Sequence, residues 1–223
     1  MNRTKLADRP FPSYTIAEER WHTVTHAIGA LLGIAALVAC LSRSIARGDV
    51  WGIVGSAIYG ASLIALYSVS SVYHALPRGI AKQVMRVLDH CTINFLIAGT
   101  YTPILFCSIR SVSKQWAWII FAIVWGFAMV ATVLTAIDLK RYSKFAMACY
   151  LGMGWCIIVA AKPAWISVGA TGMNMILIGG ILYTIGAVFY GFGKKKKYIH
   201  SVFHIFVVLA SILHFLSILF FVM

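Results

Sequence analysis

Two histidines four residues apart, His200 and His204, open the last apolar segment of the 223-residue chain. On a helix such a pair lies about 40° apart around the axis and about 6 Å along it. Both imidazoles can then reach one metal ion. Lys194 to Lys197 precede the pair and an apolar run follows it, so it sits where water meets bilayer. A second pair, His22 and His26, has the same spacing, with Glu19 one turn before it. His74 closes another apolar segment, and Ser70 and Ser71 share its helix face from four and three residues upstream. Asp89, beside His90, opens the segment after that.

Three histidines and a carboxylate drawn from different helices match the chemistry of a catalytic zinc site, which has three protein ligands and one position open to water. His74, His200 and His204 are the chosen ligands, and Asp89 is placed to hold the water or accept its proton. Glu19, His22 and His26 form a second set that could supply a ligand or line the pocket, and spacing alone does not rank the two sets. Each residue also has a plainer role. His74 suits an interfacial cap, Asp89 a charge at a helix start, Ser70 a bond back to its own helix, and Glu19 a cap on the first span. Against those roles stands the position of the whole set at one end of the bundle, where several ionisable groups at one membrane depth usually mark a site.

The elements that must position these residues are membrane spans. The chain is 61% hydrophobic with only 6 acidic residues, too few polar groups to cover a soluble fold of this size. Apolar segments run near 25–41, 51–73, 89–109, 116–137, 143–161, 172–192 and 199–222, each able to approach or cross a ~30 Å hydrocarbon core. The expected fold is an all-α integral membrane bundle of seven helices, residues 25–223, behind an N-terminal arm of residues 1–24. The connections are too short for a separate soluble domain. The first 25 residues lack an apolar core and do not read as a cleavable signal peptide, so the first span is expected to direct insertion.

Arg3, Lys5, Arg9, Arg20, Arg78, Lys82, Arg86, Lys140, Arg141, Lys144 and Lys194 to Lys197 fall on one side of that bundle, fourteen in all. Arg43, Arg47, Arg110, Lys114 and Lys162 make five on the other. The positive-inside rule therefore puts the N-terminus in the cytoplasm and the C-terminus outside. Six of the seven histidines then share the cytoplasmic end with Glu19 and Asp89, and only His214 lies deep in its span. The net charge of +13 belongs to topology and anionic headgroups rather than to nucleic acid, for which no binding motif is present. The five cysteines lie inside apolar segments without a CxxC and read as packing residues, not a disulfide framework.

Three ordered motifs carry a family resemblance: Glu19-Arg-Trp-His-Thr-Val-Thr-His26, Ser70-Ser-Val-Tyr-His74 followed by Leu88-Asp89-His90, and His200-x-x-x-His204. With Gly99-Thr-Tyr-Thr-Pro103 they make the chain resemble the progestin and adipoQ receptor family, in its bacterial haemolysin III-like branch, over nearly its whole length. The resemblance implies seven helices, a cytoplasmic N-terminus and a zinc ion near the cytoplasmic face. It carries the ligand role onto His74, His200 and His204, with Asp89 contacting through water, Ser70 nearby, and Glu19 and His26 in support. His22 departs from the family pattern, where many relatives have Asn.

The wider group looks like metal-dependent membrane hydrolases, ceramidases included. A zinc-dependent hydrolase of lipid amides or esters in the inner (plasma) membrane is therefore the leading expectation, with membrane lipids as its partners and an acyl chain lodged between spans 3, 5 and 6. Pro103 is expected to kink span 3 and open that space. A receptor or membrane-state sensor stapled by structural zinc is the alternative, and a cytolysin role is the third.

Overall fold

A computed structural model describes residue 6, residues 9–192 and residues 196–223, and the described residues are helical with no strand among them. Arg3, Lys5, Lys194 and Lys195 of the charge count lie outside them. Helix α1 covers Ile16–Ala46, α2 Val50–Ala75, α3 Ile80–Val112 and α4 Lys114–Ile137. Helix α5 covers Ser143–Gly154 and leads through a 3-10 turn, Cys156–Ala160, into α6, Ala161–Phe192. Helix α7 covers Ile199–Ser217 and tightens into a π-helical end, Ile218–Val222.

Among the described residues six helical stretches are long and apolar enough to cross a membrane. In hydrocarbon every backbone polar group must find its partner within the chain, and a helix achieves that locally. One of the six, Ser143–Gly191, has 49 residues, about 74 Å of helix and more than twice a bilayer core. It is interrupted at Gly169, whose φ of 77° and ψ of 165° lie outside the helical region and in one that favours glycine.

Several helix ends differ from the apolar runs. Helix α1 begins at Ile16 rather than near residue 25 because Thr15 and Glu18 form a capping box: Glu18 N donates to Thr15 Oγ1 at 3.2 Å and Thr15 N to Glu18 Oε2 at 2.9 Å. Helix α3 begins at Ile80 rather than at Asp89, because Lys82 and Gln83 in its first turns are buried against protein and need no apolar surroundings. Asp89 therefore sits more than two turns inside α3, and the helix-start reading of its charge does not hold. The expected connection at 162–171 is helical apart from the break at Gly169. Pro103 is followed directly by a π-helical segment, Ile104–Ile109, the local widening expected where proline removes a backbone donor.

Helices α1, α2 and α3 pack side by side, α3 carries α4, and α7 closes against both α6 and α1. The α1–α2 seam uses glycines for close approach. A Cβ on Gly60 would stand 2.5 Å from Leu37 Cβ, and one on Gly29 would collide with the Tyr67 ring. The outward face of α4, with Trp118, Ile123, Phe127 and Val130, is apolar and exposed.

Candidate metal centre and its cavity

Five histidines from three helices converge at one end of the bundle. His22 and His26 come from α1, His74 from the last turn of α2, and His200 and His204 from the first turns of α7; all five are buried. His22, His74 and His200 each offer one nitrogen within 4.8 Å of the other two, and they are the group among the described residues that could hold a metal ion. His204 joins them, its Nε2 lying 3.1 Å from His200 Nε2. His26 stacks on His204 with ring centroids 3.7 Å apart.

Hydrogen bonds assign the protons. His74 Nδ1 lies 2.6 Å from Glu19 Oε2; a carboxylate only accepts, so Nδ1 carries the hydrogen and Nε2 presents a lone pair. That Nε2 is buried and has no partner. Histidines oriented by a carboxylate on one nitrogen and left bare on the other are the usual arrangement of a metal ligand. His204 follows the same logic. Its Nδ1 is 3.4 Å from Thr25 Oγ1, whose own hydrogen goes to the Trp21 carbonyl at 2.8 Å, so Thr25 accepts and His204 Nε2 in turn accepts from His200 Nε2. His22 bonds Ser201 Oγ through Nε2 at 3.0 Å, and its Nδ1 is buried without a partner. The donor set thus fits a metal with a taste for imidazole: buried ring nitrogens within reach of one another, His22 Nδ1 and His74 Nε2 among them without a hydrogen-bond partner.

The remaining expected site residues are placed as follows. Glu19 is not a cap but the partner of His74, and its other oxygen accepts from Lys82 Nζ at 3.0 Å. Ser70 and Asp89 both line a cavity with His26, His200 and His204. Ser71 donates to the Thr23 carbonyl at 3.0 Å, clamping α2 to α1. His90 bonds the Tyr190 hydroxyl at 3.0 Å.

Three contributors escape the motif reading. Glu18, buried, accepts from the backbone N of Tyr198 at 2.7 Å, tying the start of α1 to the start of α7. Its signal was the Thr15-x-x-Glu18 capping pattern. Tyr14 stacks on His200 with centroids 5.0 Å apart and planes 15° apart, and it meets His22 edge-on at 5.0 Å. Burial raises its hydroxyl pKa. The arm carrying Tyr14 is strapped to α3, Gln83 donating to the Arg9 carbonyl at 2.5 Å and Arg86 to that of Pro10 at 2.9 Å. No local pattern marks Tyr14 or Lys82.

From this cluster a cavity of about 620 Å³ runs down between α3, α5, α6 and α7 to His214, a size in the range of small-molecule pockets. Its mouth holds the 10–14 arm, Lys196 and Lys197; its walls are Leu66, Ile93, Ile97, Tyr101, Trp155 and Val207 among others. His214 Nε2 bonds the Ile176 carbonyl at 3.0 Å at the far end, about 15 Å along α7 from His204.

The chain matches the family model described as haemolysin-III related over residues 14–215. It is 35% identical to hemolysin-3 of Bacillus cereus over 208 residues, 93% of each chain, and 36% identical to the hemolysin-3 homolog of Bacillus subtilis (strain 168), covering 93% of this chain and 96% of that one. It is also 27% identical to the monocyte to macrophage differentiation factor of Homo sapiens over 214 residues, 92% of this chain and 84% of that one. With the multi-pass apolar helices and the matched span covering the whole histidine end, the chain belongs to the haemolysin-III-related family of membrane proteins.

Proposed function

We propose that this protein is a zinc-dependent hydrolase of lipid amides or esters, set in the inner (plasma) membrane with its histidine end toward the cytoplasm. The break at Gly169 in the 49-residue stretch supports reading it as two crossings, hence seven spans in all; with the N-terminus cytoplasmic by the positive-inside rule, seven spans would leave the C-terminus outside. The observation that carries the reading is the continuity of one apolar cavity with the histidine cluster, so that an acyl chain lying in the cavity brings its linkage to the histidines.

His74 and His200 belong both to the compact trio and to the set implied by the family motifs. The third ligand is His204, which the family motifs imply and whose Nε2 lies 3.1 Å from that of His200; His22, with Nδ1 unpartnered, is the alternative third ligand. A zinc ion held there supplies Lewis acidity and makes water a nucleophile near neutral pH. The protein's own groups do the rest. Asp89, in the cavity wall with Ser70, takes the proton at its carboxylate, and Glu19 keeps His74 in the required tautomer. The Tyr14 arm covers the site against bulk water.

The test is metal analysis and lipid turnover on the purified full-length protein. About one zinc per chain is expected, with His200→Ala losing both zinc and hydrolysis. Retained zinc with no hydrolysis across a panel of ceramides, acyl esters and phospholipids sinks the enzymatic part. It favours instead a sensor stapled by zinc, a reading supported by the way the polar network joins α1, α2, α3 and α7. A lytic role, suggested by the name of the Bacillus cereus relative, predicts that purified protein lyses cells where an inactive polytopic protein does not.

A further inference from the structure

Lys82 is buried, its side chain only 5% exposed, in the first turns of α3. An ammonium has three hydrogens, and all three have acceptors: the carbonyls of His74 at 3.2 Å and Leu76 at 3.0 Å, and Glu19 Oε1 at 3.0 Å. The two carbonyls lie at the end of α2, where water could serve them equally well. A buried cation is costly unless paired, so the contact that accounts for its burial is the one to Glu19.

Glu19 is the carboxylate that holds His74 Nδ1–H through its other oxygen. Its side chain is 21% exposed, so without Lys82 one oxygen has nothing fixing it and the carboxylate can rotate toward water. The order of contact is therefore Lys82 on α3, Glu19 on α1, His74 on α2, ending at a buried His74 Nε2 that has no partner.

We propose that Lys82 is a positioning residue: by clamping Glu19 it holds His74 in the Nδ1–H tautomer with the Nε2 lone pair turned into the histidine cluster. The proposal rests on the metal reading for its purpose, but the tautomer can be read without metal. In metal-free, full-length protein labelled with 15N-histidine in lipid nanodiscs, the His74 resonances, assigned by loss in His74→Asn, should report one tautomer in the wild type. A second tautomer should appear in Lys82→Met and disappear again in Lys82→Arg. In a Glu19→Gln background, Lys82→Met should change nothing further, since its effect passes through the carboxylate.

Chelator competition completes the test. Lys82→Met should weaken zinc binding about 10- to 100-fold, as loss of an outer partner does. An unchanged His74 tautomer in Lys82→Met overturns the proposal, as does a full further effect of that change in the Glu19→Gln background. A wild-type protein that takes up no zinc overturns the metal reading and leaves the tautomer result to judge Lys82 by itself. Should Lys82→Met fail to fold, the Glu19→Gln and Lys82→Arg spectra still decide: mixed tautomers in the former and one in the latter support the chain of contacts, and any other pair of results overturns it.

Discussion

The two sides of the bundle are built on opposite plans. On the α1–α2–α7 side, glycines let backbones touch, Ser71 bonds across to Thr23, and the Tyr67 hydroxyl bonds Ser211 at 2.7 Å. On the other side α6 packs on α7, but α5 and α6 stand away from α3 and leave a large cavity. On the proposed reading, ligand nitrogens would need fixed positions, which close packing supplies, and an elongated apolar guest would need room, which the cavity offers. Rigidity and vacancy therefore meet along α7, whose first turns carry His200 and His204 and whose later turns wall the cavity.

That contrast can be broken most directly at the ligands. His74→Ala is expected to weaken zinc binding by more than the ~100-fold upper end for outer partners, while His22→Ala should leave zinc bound; metal content after dialysis separates the two, and equal loss in both would move the third ligand from His204 to His22. Packing gives the next effect. Gly29→Ala forces the Tyr67 ring aside and should cost about 1–3 kcal/mol of stability in detergent unfolding. Gly152→Ala, with nothing within 4 Å of the added methyl, should stay within about 0.5 kcal/mol.

On the open side, Gly180→Leu adds bulk to the cavity wall, where a Cβ meets only Trp155 at 3.7 Å. Turnover of long-chain substrate should fall ~10-fold or more through misplacement, with zinc and melting temperature kept; equal loss for short-chain substrate would argue against an acyl-chain cavity. Smallest is Tyr14→Ala. Losing its ring contacts with His200 and His22 should loosen the arm by about 0.5–1.5 kcal/mol, seen as faster amide exchange confined to residues 9–14.

Much of this architecture is legible in the residues, for reasons that differ by part. Helices are readable because long unbroken apolar runs satisfy their own backbone in lipid only as helices, a closed barrel needing short alternating strands instead. Their ends are less so. Hydropathy finds where a helix meets hydrocarbon, but α1 and α3 continue on protein contacts, and the Thr15–Glu18 box is the signal for the first of these. The histidine end is readable from i, i+4 spacing and shared depth. Asp89 and Ser70 are brought to one cavity with His200 and His204, while Ser71 works between helices. Lys82 is legible as a charge and opaque as a contact, since counting it toward orientation places it in a loop, whereas the fold buries it. Tyr14 is opaque for a related reason: its partner His200 is fixed only when the last helix docks on the first.

That docking has a consequence in time. His22 and Ser201, bonded in the finished protein, are 179 positions apart in the chain. At a synthesis rate of roughly 5–20 residues per second, α1 waits about 9–36 s before its counterpart exists. Throughout that interval the buried polar face of the first helix has no permanent neighbour from the seventh. The histidine end is thus a record of completed synthesis. A chain truncated before α7 has three of the five histidines and none of the seam that shields them, and the quality-control machinery of the membrane would meet it as an unfinished polar helix.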